Sequence, residues 1–268
     1  MSFTGKEMWA VILGGSSGFG LATAKKLSAH GMNICIIHRD TRGAMAQVQK
    51  QFDEIQKSGI KFVSCNLDAL SDEGRKKSIE EFRRVAGDGK IRILLHSIAF
   101  GNLKPLVSKK SDSADELFLE DEDFARTIYA MGTSLASWVR EIFSHNLFHE
   151  NSRVIGLTSE GNEVAWRGYA AVSAAKCALE SVSRSIAFEY GPYGVRSNIL
   201  QPGVTDTPAL RMIPGNEDMK RKMQEKNPLG RISTPEDVAD VVYLLCKDEA
   251  SWINGSLIRV DGGEHIAG

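Results

Sequence analysis

Short, largely apolar runs alternate along this chain with longer amphipathic stretches, and that alternation admits few folds. The runs are Trp9–Leu13, Asn33–Ile37, Lys61–Ser64, Arg92–Ile98, Arg153–Thr158, Arg196–Leu200 and Leu257–Val260. A strand with one wet face would alternate apolar and polar residues. Continuous apolar character instead suits strands covered on both faces, as in a parallel sheet. The intervening stretches are long enough for crossover helices. The pattern predicts an α/β fold: one doubly wound, seven-stranded parallel sheet in a single domain over residues 1–268.

Bulk properties exclude several functions. The chain has 33 Lys+Arg against 34 Asp+Glu, so it lacks the basic excess of a nucleic-acid surface. Cys35, Cys65, Cys177 and Cys246 have no CxxC spacing and read as free thiols of a reducing compartment. No apolar run reaches the ~18 residues of a membrane span. The opening MSFTGKE carries no secretory or transit pattern. A cytoplasmic protein is expected. His145 and His149 have a zinc-like i,i+4 spacing, but with no HExxH glutamate or third ligand they read as surface or interface residues, and no metal is expected.

The first run leads into VILGGSSGFGLATAKKL, with Gly14, Gly18 and Gly20 at the start of a helix. Gly14 permits the tight turn, Gly18 the approach of a pyrophosphate, and Gly20 the packing of helix on strand. Ser16 and Ser17 add hydroxyls, and Phe19 belongs to the same loop. A dinucleotide is the expected ligand. After the second run come His38 and Arg39, with Asp40 behind them. A guanidinium at this point grips a 2′-phosphate, where an acid would bind ribose hydroxyls, so NADPH is expected rather than NADH.

In YAAVSAAK, Tyr169 and Lys176 stand seven apart among small residues. On a helix, positions seven apart differ by only about 20° in azimuth and lie about 10 Å apart along the axis. The pair then faces one way, the phenol drawn back toward the helix start and the groove between left open.

These motifs, with VRSNILQPGVTDT and the closing INGSLIRVDGG, resemble the short-chain dehydrogenase/reductase superfamily from Trp9 to Gly263. The resemblance implies a Rossmann fold, a nicotinamide cofactor and a homotetramer, packed through helices at Asp123–Phe148 and after Tyr169. Most members place tyrosine four before lysine, where this chain has Val172. Spacing seven and LLHSIAFG are similar to the enoyl-acyl-carrier-protein reductases, and ASWINGSLIRVDGGE to the dienoyl-CoA reductases. Ser159 stands where the former carry a second aromatic residue, and the asparagine of most members is not recognisable in TIYAMGTS. By this likeness Ser97, Ile98 and Ala99 lie under the cofactor, and Asn66 and Leu67 meet the adenine. The Val204 backbone holds the carboxamide and the Thr207 hydroxyl the pyrophosphate, with Pro202 a further cofactor-binding residue. Phe100, Ser159, Trp166, Leu210, Met212 and Ile213 are the candidate acyl-pocket residues.

The implied chemistry is reduction of an enoyl thioester, carried on coenzyme A or an acyl carrier protein, in fatty-acid metabolism. The β-carbon takes hydride from NADPH, Tyr169 donates to the thioester oxygen, and Lys176 holds the nicotinamide ribose. A carbonyl/alcohol oxidoreductase such as a 3-oxoacyl thioester reductase stays open, as does a non-catalytic NADPH-binding regulator. Two loops are candidate covers for the substrate: Gly101–Asp123, otherwise a solvated loop or helix start, and Asp206–Lys220, the better lid.

Overall fold

The computed structural model describes residues 3–107, 118–213 and 215–267. They build one sheet from β1 (Met8–Leu13), β2 (Asn33–His38), β3 (Phe62–Asn66), β4 (Lys90–His96), β5 (Phe148–Leu157), β6 (Val195–Pro202) and β7 (Leu257–Val260). The order is β3-β2-β1-β4-β5-β6-β7, and every pairing is parallel. The expected seven-stranded Rossmann architecture is therefore present. Its strand order reverses at β1, whose Leu13 pairs with Ile37 on one side and His96 on the other. The crevice beyond these carboxyl ends is where such sheets bind ligands.

Burial on both faces explains the unbroken apolar runs. In β1, Trp9, Val11 and Leu13 join a core beneath α3 (Asp72–Ala86), α5 (Ser134–Ser144) and α6 (Ala170–Glu189). Ala10 and Ile12 join the core on the opposite face, beneath α1 (Gly18–Ala29), α2 (Met45–Gln56) and α9 (Pro235–Leu245). Two arginines, one on β4 and one on β5, are also buried. Arg92 donates to the Cys246 carbonyl at 2.7 Å and to Asp248, while Arg153 donates to the Leu245 carbonyl at 2.7 Å. They satisfy the last carbonyls of α9, which a helix cannot bond internally.

The helix expected over Asp123–Phe148 is instead three pieces. α4 (Asp121–Ile128) starts with a capping box of Glu120 and Asp123, a π turn follows at Tyr129–Thr133, and α5 closes at Ser144. Asn146 at φ 51° then reverses the chain, so Phe148 belongs to β5. His145 caps α5 and pairs with Glu141, whereas His149 lies in β5 with its Nδ1 accepting from Asn151 N–H. The two histidines thus share no helix face. Of the Gly101–Asp123 connection, residues 108–117 lie outside the described residues. Its near end is tied down by Asn102 and Lys104, which both donate to Asp123.

Candidate active site

A cleft of about 420 Å³ opens at the switch point. Gly14, Ser16, Ser17, Gly18 and Phe19 line one wall, and Ser97, Ile98, Ala99 and Phe100 the other. Gly14 and Gly20 stand where side chains will not fit, while Gly18 has room for a Cβ but a φ of 51°. A Cβ on Gly14, at φ 80°, would stand 2.5 Å from the Ser97 carbonyl oxygen. One on Gly20 would run into the Gly14 carbonyl, so Gly20 sets the helix on the turn and does not line the cleft. Ser17 occupies the N-cap of α1 without spending its side chain on the helix. An open helix N-terminus behind a glycine turn fits a dinucleotide pyrophosphate.

At the end of β2, His38, Arg39 and Asp40 all border the cleft. Asp40 is engaged by His38 Nδ1 at 2.7 Å. Arg39 is half-exposed, lies 4.8 Å from the Phe100 ring centroid, and makes a 3.4 Å contact with Asp68. Asn66 does not reach the cleft. Its amide bonds the Asp40 backbone in both directions, at 3.0 and 3.1 Å, fixing the β2 loop. Leu67 does line the cleft, joined by Asp68, Ala69 and Leu70.

A second cavity of about 630 Å³ continues from the first and holds Tyr169 and Lys176 together with Ser159 and Val172. Tyr169 is the N-cap of α6, with φ −107° and ψ 1°, so the regular helical azimuth does not set its direction. Two contacts do. Its ring packs on Gly161, where a Cβ would come within 2.6 Å of Cδ1, and its hydroxyl lies 3.0 Å from Ser159 Oγ. Burial raises the phenol pKa, with the Ser159 hydrogen bond opposing, so the group keeps its proton at neutral pH.

Lys176 is buried and donates to the Leu157 carbonyl at 2.7 Å. Burial lowers its pKa to about 8, and the carboxylate of Glu180 opposes the fall. Glu180 also accepts from Thr158 Oγ1 at 2.6 Å and from Asn162 Nδ2 at 2.5 Å. Sequence reasoning missed Glu180, although its place four residues after Lys176 puts it on the same helix face. Behind the lysine, His96 is fully buried with Nε2 2.8 Å from Ser134 Oγ. Burial, and then the Lys176 charge, lower its pKa to about 3, so the imidazole is neutral.

The turn after β6 differs from expectation by one residue. Val204 does not face the cavity: its N–H donates to Glu264 and its carbonyl accepts from Ser233 N–H at 3.1 Å. Thr205 faces the cavity in its place, beside Pro202 and Gly203. The Thr207 side chain accepts from Leu210 N–H at 3.2 Å and caps α7 (Pro208–Arg211) while bordering both cavities.

Phe100, Leu210, Met212 and Ile213 line the second cavity. Met212 is 74% exposed, lies between α7 and α8 (Asn216–Lys226), and borders both cavities. Trp166 lies apart, in an adjoining recess of about 90 Å³ shared with Ser159, Tyr169, Ile213 and Glu264. Among the described residues no cluster of metal-ligating side chains is present. Nor is any helix among them long and apolar enough to cross a membrane.

The chain is similar to known proteins along nearly its whole length. The family described as Enoyl-(Acyl carrier protein) reductase matches residues 14–265. A tropinone reductase homologue of Arabidopsis thaliana is 29% identical, over 97% of this chain and 91% of that protein. The enoyl-[acyl-carrier-protein] reductase (NADH) of Aquifex aeolicus superposes with a TM-score of 0.81 at 27% identity, covering 99% and 98% of the two chains. The 3-ketoacyl-(acyl-carrier-protein) reductase of Brucella melitensis, complexed with NADH, gives 0.78 at 25% identity, over 98% and 99%. With the parallel sheet, the glycine turn and the Tyr169–Lys176 cavity, these matches place the chain in the short-chain dehydrogenase/reductase superfamily of nicotinamide-dependent oxidoreductases.

Proposed function

We propose that the protein reduces the carbon–carbon double bond of an enoyl thioester with NADPH. The observation that carries this reading is the position of the phenol. Tyr169 caps the start of α6, and Val172, four before Lys176, presents a buried apolar side chain to the same cavity. The space opposite the lysine is thereby left for an acyl chain. When bound, the nicotinamide supplies the hydride. Tyr169, holding its proton at neutral pH, donates to the thioester oxygen as charge collects there, a contribution of about 3–4 kcal/mol to the barrier. Lys176 holds the ribose hydroxyls and keeps a positive potential beneath that oxygen. Met131, Val172, Leu210 and Ile213 exclude water around the acyl group.

Preference for NADPH rests on Arg39, the exposed cation at the cleft rim. Asp40, which would otherwise compete for a ribose, is already engaged by His38. The reading includes a homotetramer in the cytoplasm, and the nearly bare Phe188 and Trp252 support assembly.

Reduction of a carbonyl is the second reading, favoured by one contact. The Ser159 hydroxyl beside that of Tyr169 could place two donors on a single carbonyl oxygen. Absorbance at 340 nm separates the two: crotonyl thioester should consume NADPH, and consumption with acetoacetyl thioester alone would refute the enoyl reading.

A further inference from the structure

A buried carboxylate from the far end of the chain grips the turn that borders the cavity. Glu264 is 2% exposed, and both its oxygens lie 3.2 Å from Val204 N. Its own place is fixed by a short turn built on Asp261, which accepts from Gly263 N–H at 3.0 Å and His265 N–H at 3.2 Å. Gly203 lets the two approach closely: a Cβ there would stand 2.9 Å from Glu264 Oε2 and 2.9 Å from Ser233 Oγ. With the Val204 N–H donating to Glu264 and its carbonyl accepting from Ser233 N–H, both backbone groups of that residue are engaged outside the cavity. The next residue, Thr205, is thereby turned toward it.

We infer that Glu264 is a positioning residue for the nicotinamide end of the cofactor, acting through the Pro202–Thr207 turn. This rests on the proposed nicotinamide-binding function. An ionised carboxylate holds an N–H about twice as strongly as a neutral acceptor does. The grip therefore depends on charge. Burial raises the Glu264 pKa to about 6, the Val204 hydrogen bond opposes that, and Glu160 and Asp261 push it up while Lys226 pulls it down. Above that value the carboxylate is charged and the turn is held; below it the hold weakens. For folding the sign is opposite, because a carboxyl raised from 4.5 makes ionisation costly to the folded state and stability falls as pH rises through about 6.

The test uses calorimetric binding of two ligands to the whole protein. NADP+ carries a nicotinamide, and 2′-phospho-ADP-ribose does not, while both share the pyrophosphate, the 2′-phosphate and its titration. At pH 7.5, Glu264→Gln should weaken NADP+ about fivefold, the loss of charge assistance in one hydrogen bond. It should leave 2′-phospho-ADP-ribose binding unchanged and the thermal midpoint no lower. In the wild-type protein the ratio of the two dissociation constants should shift in the same sense between pH 7.5 and 5.5, which keeps the inference testable even if the variant does not fold. Unchanged NADP+ binding, or equal weakening of both ligands, would overturn the inference. Failure of the wild-type protein to bind NADP+ at either pH would overturn the cofactor reading and this inference with it.

Discussion

Removing the Ser159 hydroxyl separates two ways of using the same pair of oxygens. Ser159 Oγ lies 3.0 Å from the Tyr169 hydroxyl, and that phenol is the serine's partner across the cavity wall. If Ser159 only orients the phenol, Ser159→Ala removes one neutral hydrogen bond of about 1 kcal/mol, which is about fivefold in kcat/KM. If it also donates to the substrate oxygen, as the carbonyl reading allows, the loss belongs to the oxyanion class, about 10²–10³-fold. Tyr169→Phe alone should cost about 10²–10³-fold. In the double variant the serine should add nothing, since it acts through the phenol that is no longer there. The assay is steady-state oxidation of NADPH with crotonyl thioester, across wild type, both single variants and the double. A hundredfold loss in Ser159→Ala, or a further loss in the double variant, would refute an orienting role.

Other parts of the site make separate predictions. Lys176 should give rate and stability opposite pH trends. Its ammonium is lost above about 8, so the rate falls there. Between that pH and 10.5 the unfolded chain binds more protons than the folded one, so stability rises, which thermal midpoints and rates between pH 7.5 and 10 will check. Gly132 lies in the π turn where a Cβ would stand 2.7 Å from the Ala175 carbonyl oxygen on α6. Gly132→Ala should therefore cost about 1–3 kcal/mol by calorimetry and displace the helix carrying Lys176. Arg39→Ser should weaken NADPH about tenfold with little effect on NADH, from the loss of a guanidinium–phosphate contact.

What was legible in the sequence is what local pattern controls. β1, β2 and β4 are buried on both faces, so their apolar runs announce them, and the glycine turn follows from backbone space that no side chain can share. The start of β5 was not legible. Residues 148–152 read FHENS, polar enough for a loop, and Phe148 is strand only because it pairs with Ile91 across a register shift in β4. The break in the long helix depends on the left-handed backbone of Asn146, which the apolar spacing of Leu147 and Phe148 conceals.

The site divides in the same way. Tyr169 and Lys176 share a local spacing and are brought to one cavity. Asn66 meets the adenine only by likeness of position to the family, and in the structure its amide is the strut that holds the Asp40 backbone. Val204 differs from expectation because the direction of a peptide in a turn is set by Glu264, 60 residues away in sequence. No local pattern encodes that contact.

The most direct test offers crotonyl and acetoacetyl thioesters together, at equal concentration, to the wild-type protein with NADPH deuterated at the transferable position. Mass spectrometry then reads where the label goes. A phenol set back at the start of α6 predicts butyryl thioester labelled at its β-carbon as the main product. Label accumulating in 3-hydroxybutyryl thioester instead would contradict the account.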